Sequence, residues 1–238
     1  MKTKNRIWIS VLIVSGFILI LLSSCKKKDE TSTAVIDKDG YEYKTVTIGT
    51  QVWLAENLRT TKYLNGDPIG TTIPASLNIT SESTPEYQWA SDGNESNVGT
   101  YGRLYTWYAI TDSRKICPTG WHVPIDEEFA TLTTYLQGDT VAGRKLKETG
   151  TTHWASPNTG ATNQSGFTAL PGGYRGYDGG YHYSGYLGYW WSATESETDV
   201  TSAWFRGLYY NAVYDHDLSN SKKVGFSVRC LKGNPIGK

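Results

Sequence analysis

The clearest amphipathic pattern in the chain begins just after Pro124. Four apolar residues recur there at the spacing of one helical face. They are Ile125, Phe129, Leu132 and Leu136. Proline is common at helix starts, and the acidic residues 126–128 favour the positive end of a helix dipole. The pattern predicts a main helix whose apolar stripe faces the core, then a short helix over 141–148 that Asp139 would cap.

Aromatic and β-branched residues mark the predicted strands. Residues 41–48 and 51–54 have this composition, and the two-residue linker Gly49-Thr50 between them suits a type II′ hairpin. Three later runs also have strand composition, namely 190–194, 203–210 and 224–231. The turn-forming residues 215–220 would link the last two runs. These signals predict a β-rich domain that also contains helices.

Other segments have weaker patterns. Residues 59–98 are rich in Thr, Ser, Asn, Pro and Gly and are expected to form a long, partly ordered surface excursion. Residues 102–110 are apolar and fit either a buried strand or a short helix, because periodicity does not arbitrate between them. Residues 166–173 read as a strand that runs into a turn, and residues 55–58 favour a short helical turn.

The first 24 residues differ from the rest of the chain. Three basic residues precede an apolar run over 7–22, which is shorter than the ~20 residues that span a bilayer. The run ends in Leu22-Ser-Ser-Cys25, which resembles the lipobox of bacterial lipoproteins. That resemblance implies a signal peptide over 1–24 and a lipidated Cys25 at the start of a polar tether, residues 25–35; an uncleaved signal anchor is the alternative.

Charge limits the partners that are expected. The chain carries 23 basic and 23 acidic residues, and residues 1–24 hold three of the basic ones and no acidic one, so the remainder is near −3. Nucleic acid and anionic bilayers both favour a positive surface, so neither is an expected partner, and the membrane contact is expected through the lipid anchor only. The run Lys26–Glu30 resembles the surface-export signal of Bacteroidota lipoproteins, with a periplasm-facing tether as the alternative. We therefore expect a protein of the outer membrane, exposed at the cell surface or facing the periplasm.

A glycine-rich, tyrosine-rich segment lies between residues 172 and 189. It reads as a flexible aromatic loop. We expect its ligand-binding tyrosines to be Tyr177, Tyr181, Tyr183 and Tyr186. Trp190 and Trp191, which follow at once, are expected to pack in the core where the chain re-enters the sheet. The alternative is that the tyrosines only pack the loop onto its own domain.

Three cysteines occur in the chain, and Cys25 is assigned to the lipid. Outside the cytoplasm the remaining two, Cys117 and Cys230, are expected to pair as a disulfide. Two cysteines without further ligands at metal-binding spacing make a poor zinc site, so no metal and no cofactor are expected. Asp215, Asp217 and Asn220 could hold calcium, but the pattern favours a plain turn.

Several motifs taken together are characteristic of one family. They are Ile48–Leu58, Gly102–Trp107, Cys117–Pro124, Gly166–Gly173, Trp190–Ser192 and Gly225–Cys230. Their order resembles the Fibrobacter succinogenes major paralogous domain family over about residues 36–232, which leaves 233–238 as a C-terminal tail. Ile125 departs from the family pattern, because a serine able to cap the helix usually stands there.

The resemblance has implications for fold and activity. It implies an α+β, C-type-lectin-like fold related to formylglycine-generating enzymes: a mixed sheet, one main helix, a second short helix and long loop excursions. Enzymes of that kind need two reactive cysteines that hold copper, whereas Cys117 and Cys230 stand where the structural bridge is expected. Hydrolysis by paired carboxylates could use Glu195, Glu197 or Asp199, but this polar run after a strand reads as a solvated turn. The resemblance itself implies no known activity.

These observations favour a non-catalytic binding or adhesion module. Large rigid rings with polar tips suit recognition of a glycan or a surface protein, and the residues do not decide between the two. The first alternative is a structural component of a surface assembly. A formylglycine-generating type of enzyme is the second.

Overall fold

The computed structural model describes residues 34–212 and 216–235, without the side chains of His216 and Asp217. The part of the chain from Ala34 onward forms one compact unit. Cys25 and Asp215 lie outside the described residues, so the expected lipid attachment and the calcium alternative at Asp215 stay predictions.

Four α-helices and thirteen strands make up the regular structure of the described residues. The helices are α1 (Val98–Tyr101), α2 (Trp107–Thr111), α3 (Asp126–Tyr135) and α4 (Asp139–Leu146), and two 3-10 turns cover Ser91–Gly93 and Glu95–Asn97. The strands are β1 (Val35–Ile36), β2 (Glu42–Tyr43), β3 (Thr45–Ile48), β4 (Gln51–Leu54), β5 (Gln88–Ala90), β6 (Arg103–Tyr105), β7 (Trp121–His122), β8 (Tyr174–Arg175), β9 (Tyr181–His182), β10 (Leu187–Glu195), β11 (Ser202–Tyr209), β12 (His216–Ser221) and β13 (Leu231–Lys232).

The strands form several small antiparallel sheets. The two larger ones have the orders β10-β11-β12 and β3-β4-β13-β7, and three two-stranded pairs accompany them. Among the described residues, parallel pairing is limited to isolated bridges such as Trp190 with Ser227. The α+β class is confirmed. In place of the expected mixed sheet, the described strands pair in antiparallel fashion within several small sheets. The lectin-type relationship stays a prediction.

A short extended segment, Gly225–Ser227, joins the separate sheets. Phe226 bridges to Tyr105 of β6, while Gly225 bridges to Arg175 of β8. Ser227 bridges to Trp190 of β10. The predicted strand over 224–231 is therefore a connector that touches three sheets before it reaches β13.

The main helix agrees with its pattern. Phe129, Leu132 and Leu136 are buried, as the stripe predicted. Ile125 cannot cap the helix with its side chain, and two other groups serve the helix start. Glu128 accepts a hydrogen bond from the Ile125 amide at 2.9 Å, and Thr194 Oγ1 accepts one from the Asp126 amide at 2.9 Å. Thr194 thus offsets the departure from the family pattern.

Several weaker predictions need correction. The predicted second short helix is present as α4, but it begins at Asp139, so Gly138 and not Asp139 stands at the cap position. Residues 166–173 form a loop with bridges at Ala169 and Gly173 only, and residues 55–58 form no helix. Residues 216–220 belong to β12, which pairs with β11, so they are not a turn-rich link. Residues 102–110 contain both alternatives, the strand β6 and the helix α2.

The segment 59–98 is more than a surface excursion. It has little regular structure, but it supplies buried side chains to the core. They are Tyr63, Ile69, Ile79 and Trp89. Irregular backbone can still be buried where its polar groups find partners, and here many of them do.

Two apolar clusters form the core, and adjacent tryptophans of β10 divide between them. Trp191 packs with Phe205 and Phe226 in the cluster that contains the disulfide, while Trp190 packs with Phe167 in the other. Both tryptophans are buried, as predicted, because β10 is covered on both faces. The predicted Cys117–Cys230 disulfide is confirmed, with an S–S distance of 2.03 Å and a sequence separation of 113 residues.

Candidate binding face

The glycine-rich segment forms a β-hairpin where the sequence predicted a loop. Tyr174 pairs with His182 and Arg175 pairs with Tyr181. The connection needs glycine at Gly179, which has φ +96° and whose Cβ would stand 2.0 Å from the carbonyl oxygen of Ser76. The hairpin can therefore lie directly on the loop around Ser76.

A buried arginine fixes this hairpin to its surroundings. Arg175 is fully buried, and its guanidinium donates hydrogen bonds to the carbonyls of Ala75, Leu77 and Gly176. Its guanidinium carbon lies 3.9 Å from the centre of the Trp89 ring. Burial lowers the pKa of Arg175, although a guanidinium remains protonated in proteins. The charge thus holds together chain segments about 100 positions apart, because backbone carbonyls accept from it.

Aromatic rings lead from the core to the surface of the hairpin. Tyr174 stands between the two, with its ring centre 6.0 Å from that of buried Phe226 and 5.8 Å from that of Tyr189. On its outer side the ring centres of His182 and Tyr183 lie at 4.9 and 6.0 Å. The exposed rings are therefore supported by the packed core.

Three of the four tyrosines predicted for recognition are exposed. The exposed fractions are 42% for Tyr177, 58% for Tyr183 and 49% for Tyr186. Tyr183 also has φ +57°, which is uncommon for a residue other than glycine and often marks functional sites. Tyr186 lies one turn further along the chain, where it packs edge-on against Tyr210.

The fourth tyrosine points inward. The Tyr181 ring lies 3.2 Å from the position of a Cβ on Gly93, and its hydroxyl is buried. Burial is the largest cause that raises its pKa, and the Arg175 charge nearby acts in the opposite direction. The structure thus gives Tyr181 a packing position, apart from the exposed Tyr177 and Tyr183.

Two polar side chains stand beside the exposed rings. Asp178 Oδ1 and His182 Nε2 lie 2.4 and 3.5 Å from where a Cβ on Gly176 would stand, so they are close neighbours. Asp178 Oδ1 accepts a hydrogen bond from the Gly180 amide at 3.0 Å. Within residues 34–212 and 216–235, no hydrogen bond reaches the ring nitrogens of His182. We name the group of Tyr174, Tyr177, Asp178, His182 and Tyr183 the tyrosine face.

Two of the carboxylates named from the sequence, and one histidine, have structural partners. Glu195 forms an ion pair with Lys222, and Asp199 accepts hydrogen bonds from Thr201 and Ser202 within a turn. His122 lies between the Gly233 carbonyl and Glu128.

The described residues contain neither a metal-binding cluster nor a helix that could span a membrane. Their His, Cys, Asp and Glu side chains form no group of three or more that could hold a metal ion. No described helix has the length and apolar character needed to cross a membrane.

Sequence reasoning missed Asp178, His182 and Tyr174 as members of a site. Asp178 reads as an ordinary turn residue and His182 as an isolated histidine. Only the hairpin register, which sets Tyr174 opposite His182, brings these side chains together. The alternation of residues across a two-residue ladder is too short to be recognised in a sequence.

Comparison with known proteins gives one match. Residues 46–232 match the model of the Fibrobacter succinogenes major domain. No curated protein and no solved structure matches the chain. The match covers most of the chain and includes α3, both disulfide cysteines and the tyrosine face. The chain therefore belongs to the Fibrobacter succinogenes major domain family.

Proposed function

We propose that this protein is a non-catalytic binding module of the cell envelope and that the tyrosine face binds a glycan. The observation that carries the proposal is the combination of exposed rings and polar side chains on one hairpin. Tyr177 and Tyr183 offer exposed rings, while Asp178 and His182 lie close to each other on the same hairpin. Sugars combine apolar C–H faces with hydroxyl groups, so they need both kinds of contact.

The support beneath the face favours a binding role. Arg175 holds the hairpin from below through three backbone carbonyls, and the Arg175–Gly225 bridge ties it to the central connector. A ligand that meets an ordered surface avoids much of the entropy cost of immobilising a loop. Glycine-rich backbone would otherwise lose the most freedom on binding.

The cysteines support a role without catalysis. Cys117 and Cys230 are joined to each other, so neither is a free thiol for the copper chemistry of formylglycine-generating enzymes. Of the carboxylates that the sequence offered for hydrolysis, Glu195 forms an ion pair and Asp199 accepts hydrogen bonds within a turn. Binding is the function that these arrangements favour.

The decisive experiment is a glycan array probed with the full-length protein. The native chain should bind a defined set of glycans, and the double variant Tyr177→Ser, Tyr183→Ser should bind none of them. Tyr135→Ser is the matched control, because Tyr135 is 62% exposed on helix α3 and outside the tyrosine face. Equal binding by the native chain and the double variant would contradict the proposal, and a protein ligand would be favoured if no glycan bound at all.

We also propose that Cys25 carries the lipid that attaches this module to the outer membrane. The support is the lipobox-like sequence and the short apolar run before it. Cys25→Ser should release the protein from the membrane fraction or stall its processing. A variant that is processed and fractionates like the native protein would contradict this assignment.

A further inference from the structure

A cavity of about 590 Å³ lies next to the disulfide and involves none of the residues of the tyrosine face. Helix α2, the loop over 112–117 and strand β7 form its walls, and Ala193 of β10 closes one side. Asn234 and Pro235 stand at its rim. Cavities of roughly 300–1,000 Å³ suit small organic ligands, so this one is of the right size.

Apolar side chains form the floor of this cavity. They are Trp107, Ile110, Ile116, Trp121 and Val123. The Trp107 indole is fixed in place, because its Nε1 donates to the Ser192 carbonyl at 3.0 Å and the Lys222 ammonium lies 4.4 Å from its ring centre. The floor is therefore a rigid apolar surface that could hold a ring or a branched hydrocarbon.

The acidic and imidazole groups at the cavity are already paired. Asp112 accepts from the Arg114 amide, Nε and Nη2 at 2.7, 2.8 and 2.9 Å, and these bonds lower the pKa of its carboxyl. Both ring nitrogens of His122 are engaged by Glu128 and the Gly233 carbonyl. A ligand would gain little from either group.

One cation at the cavity differs from these paired groups. Lys115 lines the cavity and is exposed, and within the described part of the chain its ammonium has no hydrogen-bond or ion-pair partner. Ser113 lies beside it on the same rim and is exposed as well. A ligand that complements this cavity should therefore carry a negative charge near the Lys115 ammonium.

We infer that this cavity binds a small organic carboxylate whose apolar, ring-sized body rests on the Trp107 and Trp121 floor. Its carboxylate would lie at the Ser113–Lys115 rim, where an ammonium and a hydroxyl can both donate to it. This site is independent of the tyrosine face, so each can be tested while the other is intact.

The test compares two probes of the same shape, 4-phenylbutyrate and its neutral amide, by ligand-observed saturation-transfer NMR on the full-length protein. The carboxylate should bind more tightly than the amide. Lys115→Met should weaken carboxylate binding about two- to fivefold, as expected for an exposed ion pair, and leave the amide unchanged. Lys38→Met, which removes an exposed lysine in the turn over 37–40, should change neither probe.

Two further variants test the location. Ala193→Leu fills the cavity from β10. Thr111→Trp covers its mouth from an exposed position and leaves the core unaltered, so it serves as the test if Ala193→Leu unfolds. Both should abolish binding of both probes. The inference is overturned if the native chain binds neither probe, if a folded blocking variant binds like the native chain, or if Lys115→Met leaves carboxylate binding unchanged.

Discussion

Residues 174–183 and residues 187–195 are neighbours in the chain and similarly rich in aromatic side chains, but they expose them to very different extents. In the hairpin, Tyr177 and Tyr183 are exposed by 42% and 58%. In strand β10, Trp190 and Trp191 are buried, and their Nε1 atoms donate to Asn57 Oδ1 and the Tyr105 carbonyl, each at 2.8 Å. The difference lies in what covers each backbone.

Strand β10 is covered on both faces, whereas the hairpin is covered on one. A strand between two core clusters must bury alternate side chains on both sides, so both tryptophans contribute to stability. One side of the hairpin is covered, because its Arg175 packs on Trp89, and the other side is open. Aromatic content alone therefore does not distinguish core from binding surface, and coverage of the backbone does.

The largest expected effect is at the covered strand. Trp191→Ala should lower the free energy of unfolding by about 3–5 kcal/mol, because it leaves a large cavity beside Phe226 and removes one of the hydrogen bonds to the Tyr105 carbonyl. Urea unfolding of the native chain and the variant measures this directly. A loss below about 1 kcal/mol, as expected for an exposed side chain, would contradict the contrast between strand β10 and the hairpin.

Burial of Lys147 should make the free energy of unfolding depend on pH, by up to about 3 kcal/mol. Lys147 donates to the carbonyls of Thr159, Tyr209 and Ala212, and burial lowers its pKa to about 8 from 10.5. Below pH 8 the folded chain carries the full cost of the buried charge. Between about pH 8 and 10.5 the unfolded chain binds more protons, so stability should rise with pH.

The Lys147 effect is measured as a difference between two chains. The free energy of unfolding of the native chain, relative to that of Lys147→Met, should increase from about pH 7 to pH 10. The control Lys145→Met removes a neighbouring lysine that is hydrogen-bonded to the Gln137 side chain. It should retain the native pH dependence. A flat difference for Lys147→Met would show that the lysine titrates alike in both states.

Loss of the Arg175 contacts beneath the hairpin should lower the free energy of unfolding by about 2–3 kcal/mol. Arg175→Met leaves the Leu77 carbonyl without its donor, removes the guanidinium hydrogen bonds to the Ala75 carbonyl and removes the contact with Trp89. Thermal unfolding should show this loss, and binding at the tyrosine face should weaken as well. Arg144→Met, at an exposed position on α4, should stay within about 0.5 kcal/mol of the native chain.

The smallest effects lie within the hairpin and distinguish the inward Tyr181 from the exposed Tyr183. Tyr181→Ala should cost about 1–2 kcal/mol, because its ring packs at Gly93 and its hydroxyl is buried. Tyr183→Ala should change stability by no more than about 0.5 kcal/mol. Equal costs for the two variants, measured by urea unfolding, would contradict the assignment of one to packing and the other to the surface.

The sequence was informative wherever a pattern was local and repeated. The stripe of α3 needed only the helical period, and the Gly49-Thr50 linker does join two paired strands. The disulfide followed from compartment and cysteine number. Trp190 and Trp191 were expected in the core because strand and aromatic signals coincided there.

The rest depended on contacts that leave no periodic signal. The hydrogen-bond partners of buried Arg175 and Lys147 are backbone carbonyls. Every residue carries a carbonyl, so the sequence does not indicate which ones these two side chains bind. The inward turn of Tyr181 follows from the hairpin register, and the strand β12 from its pairing with β11. Such pairings are set by distant segments that meet only in the folded chain.

The central claim, that the open side of the hairpin is a ligand surface, is tested most directly at Tyr183. The affinity of the full-length protein for the strongest array glycan should be measured by calorimetry for the native chain, Tyr183→Phe and Tyr183→Ala. Stacking needs the ring and not the hydroxyl, so Phe should bind within about twofold of native and Ala about three- to tenfold more weakly, with stability unchanged. Native affinity in Tyr183→Ala would contradict the account.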